Sequence, residues 1–157
     1  MRPEEKVVSY LKERGLTLFT AESCTGGLVC KRITDVPGAS SVLKGGVVSY
    51  TNGIKISLLG VSPATVEQYT EVSEQCAAEM AQGAVRISGA DIGVSATGYA
   101  SGGAGVPDGM TGVVFIGYSD RSGTKVKKLR LNGCRAEVRK AAVDEIFGMI
   151  LENQEAI

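Results

Sequence analysis

Residues 16–27 read Leu-Thr-Leu-Phe-Thr-Ala-Glu-Ser-Cys-Thr-Gly-Gly. The first six are apolar or Thr, too short a run for a helix with a buried stripe, and they lead into a polar turn closed by two glycines. This pattern predicts a buried strand over 16–21. Past Gly27 a helix continues to about Ile33 and stops before Pro37-Gly38, because the residue preceding a proline is pushed out of the helical region. A strand that passes through a polar turn into a helix is the building unit of α/β proteins.

The elements on either side agree. Over 3–14 the apolar Val7, Val8 and Leu11 recur at helical spacing, with Glu4 and Glu5 in the first turn and Gly15 as a stop. A second strand is expected over 46–51, helical turns over 54–59, and a short helix opened by Ser62-Pro63 and running towards Tyr69. Ser73 caps a longer helix with Cys76, Met80, Ala84 and Ile87 on one stripe and Ala77, Ala81 and Val85 beside it, a small-residue face suited to close packing on a sheet. A third strand over 91–97 is followed by the loop 98–111, which holds five glycines. A fourth strand, 112–118, turns through 119–123 into a fifth, 124–131, whose Lys125, Lys127, Lys128 and Arg130 suit a sheet edge protected by charge. The last helix, 136–153, aligns Val138, Ala142, Ile146 and Ile150, with Val143 and Phe147 alongside. The order predicts a three-layer α/β/α fold with a mixed sheet, in a single domain over 1–157.

Composition removes several classes of function. The 157 residues contain no histidine, so Ser-His-Asp and Cys-His catalysis, histidine metal sites and imidazole switching are all excluded. Lys plus Arg equals Asp plus Glu at 17 each, which gives no global field to gather nucleic acid or an anionic membrane. Cys24, Cys30, Cys76 and Cys134 form no Cys-x-x-Cys pair and read as reduced thiols in or near the core, with no metal. The sequence has neither a membrane-length apolar run nor the apolar stretch of a signal peptide, and the expected location is the cytoplasm.

Four places can carry chemistry. Ser23, at the strand-to-helix turn, sits where unpaired backbone N–H groups would stabilise an alkoxide, an oxyanion or a phosphate; the alternative is a helix cap with a glycine-rich turn. It is not a P-loop, since no lysine follows the glycines. Tyr50 and Lys55 lie past the end of the second strand, where open α/β sheets place their sites. A desolvated lysine can accept a proton near neutrality and so replace the missing histidine; the alternative is an exposed turn lysine with a core-packed tyrosine. Thr97-Gly98 and the loop after them end another strand, although Asp108-Gly109 alone reads equally well as a turn. Arg135 and Arg139, four apart at the start of the last helix, either clamp a phosphate or form a solvated face paired with Glu137 or Asp144.

Together these segments resemble the CinA C-terminal domain family. The resemblance rests on Ala21-Glu22-Ser23-Cys24-Thr25-Gly26-Gly27, Val36-Pro37-Gly38-Ala39-Ser40, Gly45-Gly46-Val47-Val48-Ser49-Tyr50-Thr51-Asn52 with Lys55, Leu59-Gly60-Val61, Val72-Ser73-Glu74, Met80-Ala81-Gln82-Gly83-Ala84 and Thr97-Gly98. It implies an α/β/α domain that hydrolyses the carboxamide of nicotinamide mononucleotide to nicotinate mononucleotide and ammonia, with no metal or cofactor, acting on a small-molecule nucleotide and leaning towards a homo-oligomer. On that reading Ser23 is the nucleophile, Lys55 the base, Tyr50 a positioning or relay group, and Thr97 a further catalytic candidate. Cys24, Thr25, Gly26, Gly27, Gly98, Arg135 and Arg139 would contact substrate, with the N–H groups near Gly26 and Gly27 as an oxyanion hole. Cys24 is the competing nucleophile. The loop after Thr97-Gly98 departs from the family's usual Ala-Gly-Pro-Gly-Gly, and a catalytically silent nucleotide-binding domain and a structural module in an oligomer are the alternatives.

Overall fold

Strand β1 (Leu18–Glu22) lies at the centre of the chemistry, flanked in parallel by β2 (Leu43–Val48) and β3 (Ile92–Gly98). Strand β4 (Val113–Asp120) pairs antiparallel with β3, and β5 (Gly123–Arg130) antiparallel with β4, giving a mixed sheet of order β2-β1-β3-β4-β5. The structure, a computed structural model, describes residues 1–153; residues 154–157, the end of the expected domain, lie outside the described residues.

Helices α1 (Pro3–Arg14), α2 (Leu28–Thr34) and α6 (Arg135–Glu152) cover one face of the sheet. There Val7, Leu11, Ile33, Val143, Ile146 and Phe147 pack with Leu18, Ile92 and Ile116, all fully buried. The other face carries α3 (Asn52–Leu59), α4 (Pro63–Tyr69) and α5 (Glu74–Ser88), with Leu59, Val61, Cys76, Met80 and Ala84 packed around Ala21. This is the three-layer α/β/α arrangement. The small-residue face of α5 does what its composition suggests: a Cβ at Gly93 of β3 would collide with the Ala81 carbonyl, so helix and sheet meet at backbone distance. Ile87, at the end of that stripe, is exposed.

Two boundaries and the placement of one cysteine differ from expectation. Strand β2 lies three residues earlier than 46–51, because Ser49 turns its N–H to the Glu22 carbonyl at 2.7 Å and Thr51 leaves the sheet to cap α3, accepting the Ile54 N–H at 3.4 Å. Helix α2 starts at Leu28, past Gly27 as expected, with Ser23 five residues upstream in the turn. The β4–β5 turn contracts to Arg121-Ser122, since Asp120 Oδ1 accepts both the Ser122 N–H at 2.7 Å and its hydroxyl at 2.6 Å. Cys134 is exposed beside the start of α6, not in or near the core. Strand β5 is an edge strand, with Lys127 bridged to Glu152 at 2.7 Å.

Candidate active site

Glu22 organises the turn that carries Ser23. Its side chain is buried and its two oxygens accept five hydrogen bonds. Oε1 takes Thr25 Oγ1 at 2.7 Å and the N–H groups of Gly27 and Val29 at 3.1 and 3.0 Å; Oε2 takes the Cys30 N–H at 3.1 Å and Thr20 Oγ1 at 3.2 Å. The carboxylate therefore occupies the positive end of α2, where a ligand anion was expected. Of the proposed oxyanion donors, the Gly27 N–H is bound to Glu22 and the Gly26 N–H to the Ser23 carbonyl at 3.0 Å. The N–H groups of Cys24 and Thr25 donate to no backbone carbonyl among the described residues.

Ser23 and Lys55 meet. Lys55 is 1% exposed, and its Nζ lies 3.0 Å from Ser23 Oγ and 2.8 Å from the Ser49 carbonyl oxygen. Ser49 is itself fixed to β1, its N–H and hydroxyl both donating to the Glu22 carbonyl. The buried face of α3 consists of Lys55 and, one turn on, Leu59, so the amine occupies a position where a core side chain belongs. Burial drives its pKa below the ordinary 10.5, against the opposing pull of Cys76, Glu71 and Cys24. No carboxylate lies within ion-pair distance of it among the described residues.

The pair opens onto a cavity of about 480 Å³ between the carboxyl ends of β1 and β3, the start of α3 and the 98–111 loop. Tyr50 lines it, yet the alternative reading of this segment is inverted: the tyrosine is 63% exposed and the lysine is buried. The Tyr50 hydroxyl accepts from Arg135 at 3.3 Å rather than bonding Lys55 or Ser23. Arg135 also donates to Ser101 Oγ at 2.9 Å, which places a guanidinium at the mouth. Thr97 and Gly98 line the wall, with Thr97 Oγ1 donating to the Glu71 carbonyl at 2.7 Å.

Thr25, Gly26, Gly27 and Arg139 do not line the cavity. Thr25 is turned to Glu22, while Arg139 closes over Gly26 and donates to the Thr25 carbonyl at 3.0 Å, so the two arginines do not converge as a clamp. Cys24 lines the cavity but is buried among apolar neighbours, and desolvation pushes its thiol up to about 11, leaving little thiolate near neutrality. Sequence reasoning missed the cavity residues Glu71 and Ser101 and the positioning roles of Glu22 and Ser49. Helix α4 ends on Thr70 instead of a glycine, and that was the visible signal near Glu71.

An α/β/α domain with a buried serine–lysine pair at the carboxyl end of β1, between two parallel neighbours, defines the class. The CinA C-terminal domain model matches residues 2–153, and the chain belongs to that family. It is 45% identical over 139 residues to a CinA-like protein from Kosmotoga olearia, covering 88% of this chain and 34% of that protein. It is 46% identical over 136 residues to a CinA-like protein from Dictyoglomus thermophilum, covering 87% and 33%. The chain thus spans about a third of the length of these curated relatives. Among solved structures, the competence/damage inducible protein CihA from Agrobacterium tumefaciens superposes with a TM-score of 0.91 at 34% identity, covering 96% of this chain and 92% of that one. A CinA superfamily protein from Klebsiella pneumoniae does so at 0.94 and 28%, with full coverage of both. No helix among the described residues is long and apolar enough to cross a membrane.

Proposed function

We propose that the chain is an amidohydrolase that releases ammonia from nicotinamide mononucleotide. The observation that carries this reading is the 3.0 Å contact between Ser23 Oγ and a buried amine held on its other side by the Ser49 carbonyl. In its neutral form Lys55 donates one N–H to that carbonyl and turns its lone pair to the serine, so that burial and orientation together supply the base that a histidine-free chain needs.

Ser23 Oγ attacks the carboxamide carbon as its proton passes to Lys55. The oxyanion takes the N–H of Cys24, the residue after the nucleophile, which donates to no backbone carbonyl among the described residues. The tetrahedral intermediate collapses with C–N cleavage, and the Lys55 ammonium returns the proton to the leaving nitrogen as ammonia. Water, deprotonated by Lys55, then attacks the ester, and as the acyl C–O bond breaks the Lys55 ammonium gives that proton to Ser23 Oγ, releasing nicotinate mononucleotide and restoring the serine and the neutral amine. Arg135, with Ser101 and the glycine-rich loop, provides the phosphate site at the mouth. The test is ammonia release from nicotinamide mononucleotide, with free nicotinamide as control. Turnover of the nucleotide lost in Ser23→Ala supports the assignment, and undiminished turnover in that variant overturns it.

A further inference from the structure

One charged side chain in the cavity has no part in the chemistry above. Glu71 lies between α4 and α5 and lines the cavity; among the described residues its carboxylate accepts no hydrogen bond and joins no ion pair. Its field reaches both the Lys55 amine and the Tyr99 phenol, two other lining groups. The backbone beside it is held in a costly shape. Thr70 is the only described non-glycine residue with positive φ, at φ 69 and ψ 170, a region populated almost solely by glycine.

That conformation is enforced from several sides. The Thr70 N–H donates to Val66 O at 3.0 Å and its hydroxyl to Val72 O at 3.3 Å. The Ser73 hydroxyl donates to Thr70 O at 2.9 Å while accepting the Cys76 N–H at 3.1 Å, and Thr97 ties the Glu71 carbonyl to the end of β3. A strained residue this heavily constrained, next to an unpaired acid in a cavity, indicates that the acid's position is what the strain maintains.

We infer that Glu71 and Arg135 are the two poles of a charge-selective site, Glu71 receiving a cationic ring that bears the scissile carboxamide and Arg135 an anion at the mouth. Lys55, Glu71 and Arg135 are the charged side chains lining the cavity among the described residues, and with the Lys55 amine neutral the remaining two have opposite sign. This two-pole site rests on the amidase reading and adds to it discrimination by ring charge.

Oxidised and reduced nicotinamide mononucleotide are nearly the same shape and differ in ring charge, so their binding to the full chain carrying Ser23→Ala isolates the effect in calorimetry. The oxidised form should bind about tenfold tighter, as expected for one charge pair in a partly solvated site. Glu71→Gln should bring that ratio close to one, whereas Arg135→Gln should weaken both ligands and leave the ratio intact. Equal affinity in the parent, a ratio unmoved by Glu71→Gln, or binding of neither mononucleotide overturns the inference. Ammonia release by the wild-type chain is read separately. Selective binding without it leaves charge selection standing and removes the amidase, and turnover indifferent to Glu71 does the reverse.

Discussion

Lys55 Nζ reaches Ser23 Oγ at 3.0 Å across 32 residues of chain, and Ser49, whose carbonyl holds the amine, donates its own N–H and hydroxyl to the carbonyl of Glu22, the residue preceding that serine. The proposed nucleophile and base and the carbonyl that orients the amine are thus fastened to one another through the paired ends of β1 and β2.

Removing the hydroxyl should therefore separate chemistry from stability. Ser23→Ala is expected to lower ammonia release by more than about a thousandfold, the scale seen when a nucleophile is deleted. Its thermal midpoint should stay within about 4 °C of wild type, since a single weak hydrogen bond is lost.

The lysine predicts a pH dependence with a definite sign. Its pKa is lowered in the folded chain, so between that lowered value and 10.5 the unfolded chain binds more protons, and stability rises with pH across that interval. Below it the cost of burying the amine is fully present; above 10.5 it is gone. Lys55→Met should abolish this rise in denaturant midpoints measured over a pH series, and should abolish activity at every pH. In the wild type, the rate should increase with pH as the amine loses its proton.

Thiol reactivity tests the rejected nucleophile. With its thiol at about 11, Cys24 is about a thousandth thiolate at pH 8, and Cys76, also near 11, is fully buried. The exposed Cys134 should account for the fast phase of labelling by a thiol reagent. Cys134→Ser should remove that phase without loss of turnover, and rapid labelling of Cys24 with parallel inactivation would restore it as a candidate.

Glu22 is expected to be a stability determinant out of proportion to its conservative replacement. In Glu22→Gln the amide nitrogen cannot accept, which strands donors of the α2 N-terminus in a buried site. The expected loss is about 2–3 kcal/mol in denaturant unfolding.

At Thr70 the expected change is a gain. Thr70→Gly gives up the hydroxyl bond to Val72 but relieves a glycine-only conformation, and should stabilise the chain by about 1 kcal/mol.

The layers of the fold were legible because long helices and strands display their buried faces at fixed periods: Val138, Ala142, Ile146 and Ile150 recur every fourth residue and are all buried. The pairing of Ser23 with Lys55 was suggested by their positions past two strand ends and by the resemblance to the CinA C-terminal domain family, not by any periodicity. The inversion of Tyr50 and Lys55 was not legible, since α3 is eight residues long and offers too few positions for its buried face to be read. The capture of the α2 N-terminus by Glu22 was hidden for another reason. An acid before a serine and two glycines looks the same whether its carboxylate turns inward or out, and only the folded turn, with Gly26 and Gly27 at positive φ, decides it. The separation of Arg135 from Arg139 likewise needed the angle at which α6 crosses the sheet, which four-residue spacing does not encode.

The 98–111 segment hangs from the β3–β4 hairpin and is closed at its neck by the Tyr99 N–H to Val113 O at 3.0 Å and the Gly112 N–H to Tyr99 O at 2.8 Å. Ser23 and Lys55 follow other strands, β1 and β2. Rim and engine are therefore separable parts: insertions, deletions or wholesale exchange of the rim can diversify what is admitted while the engine keeps its tolerances, so this neck is the natural graft point for retargeting the scaffold.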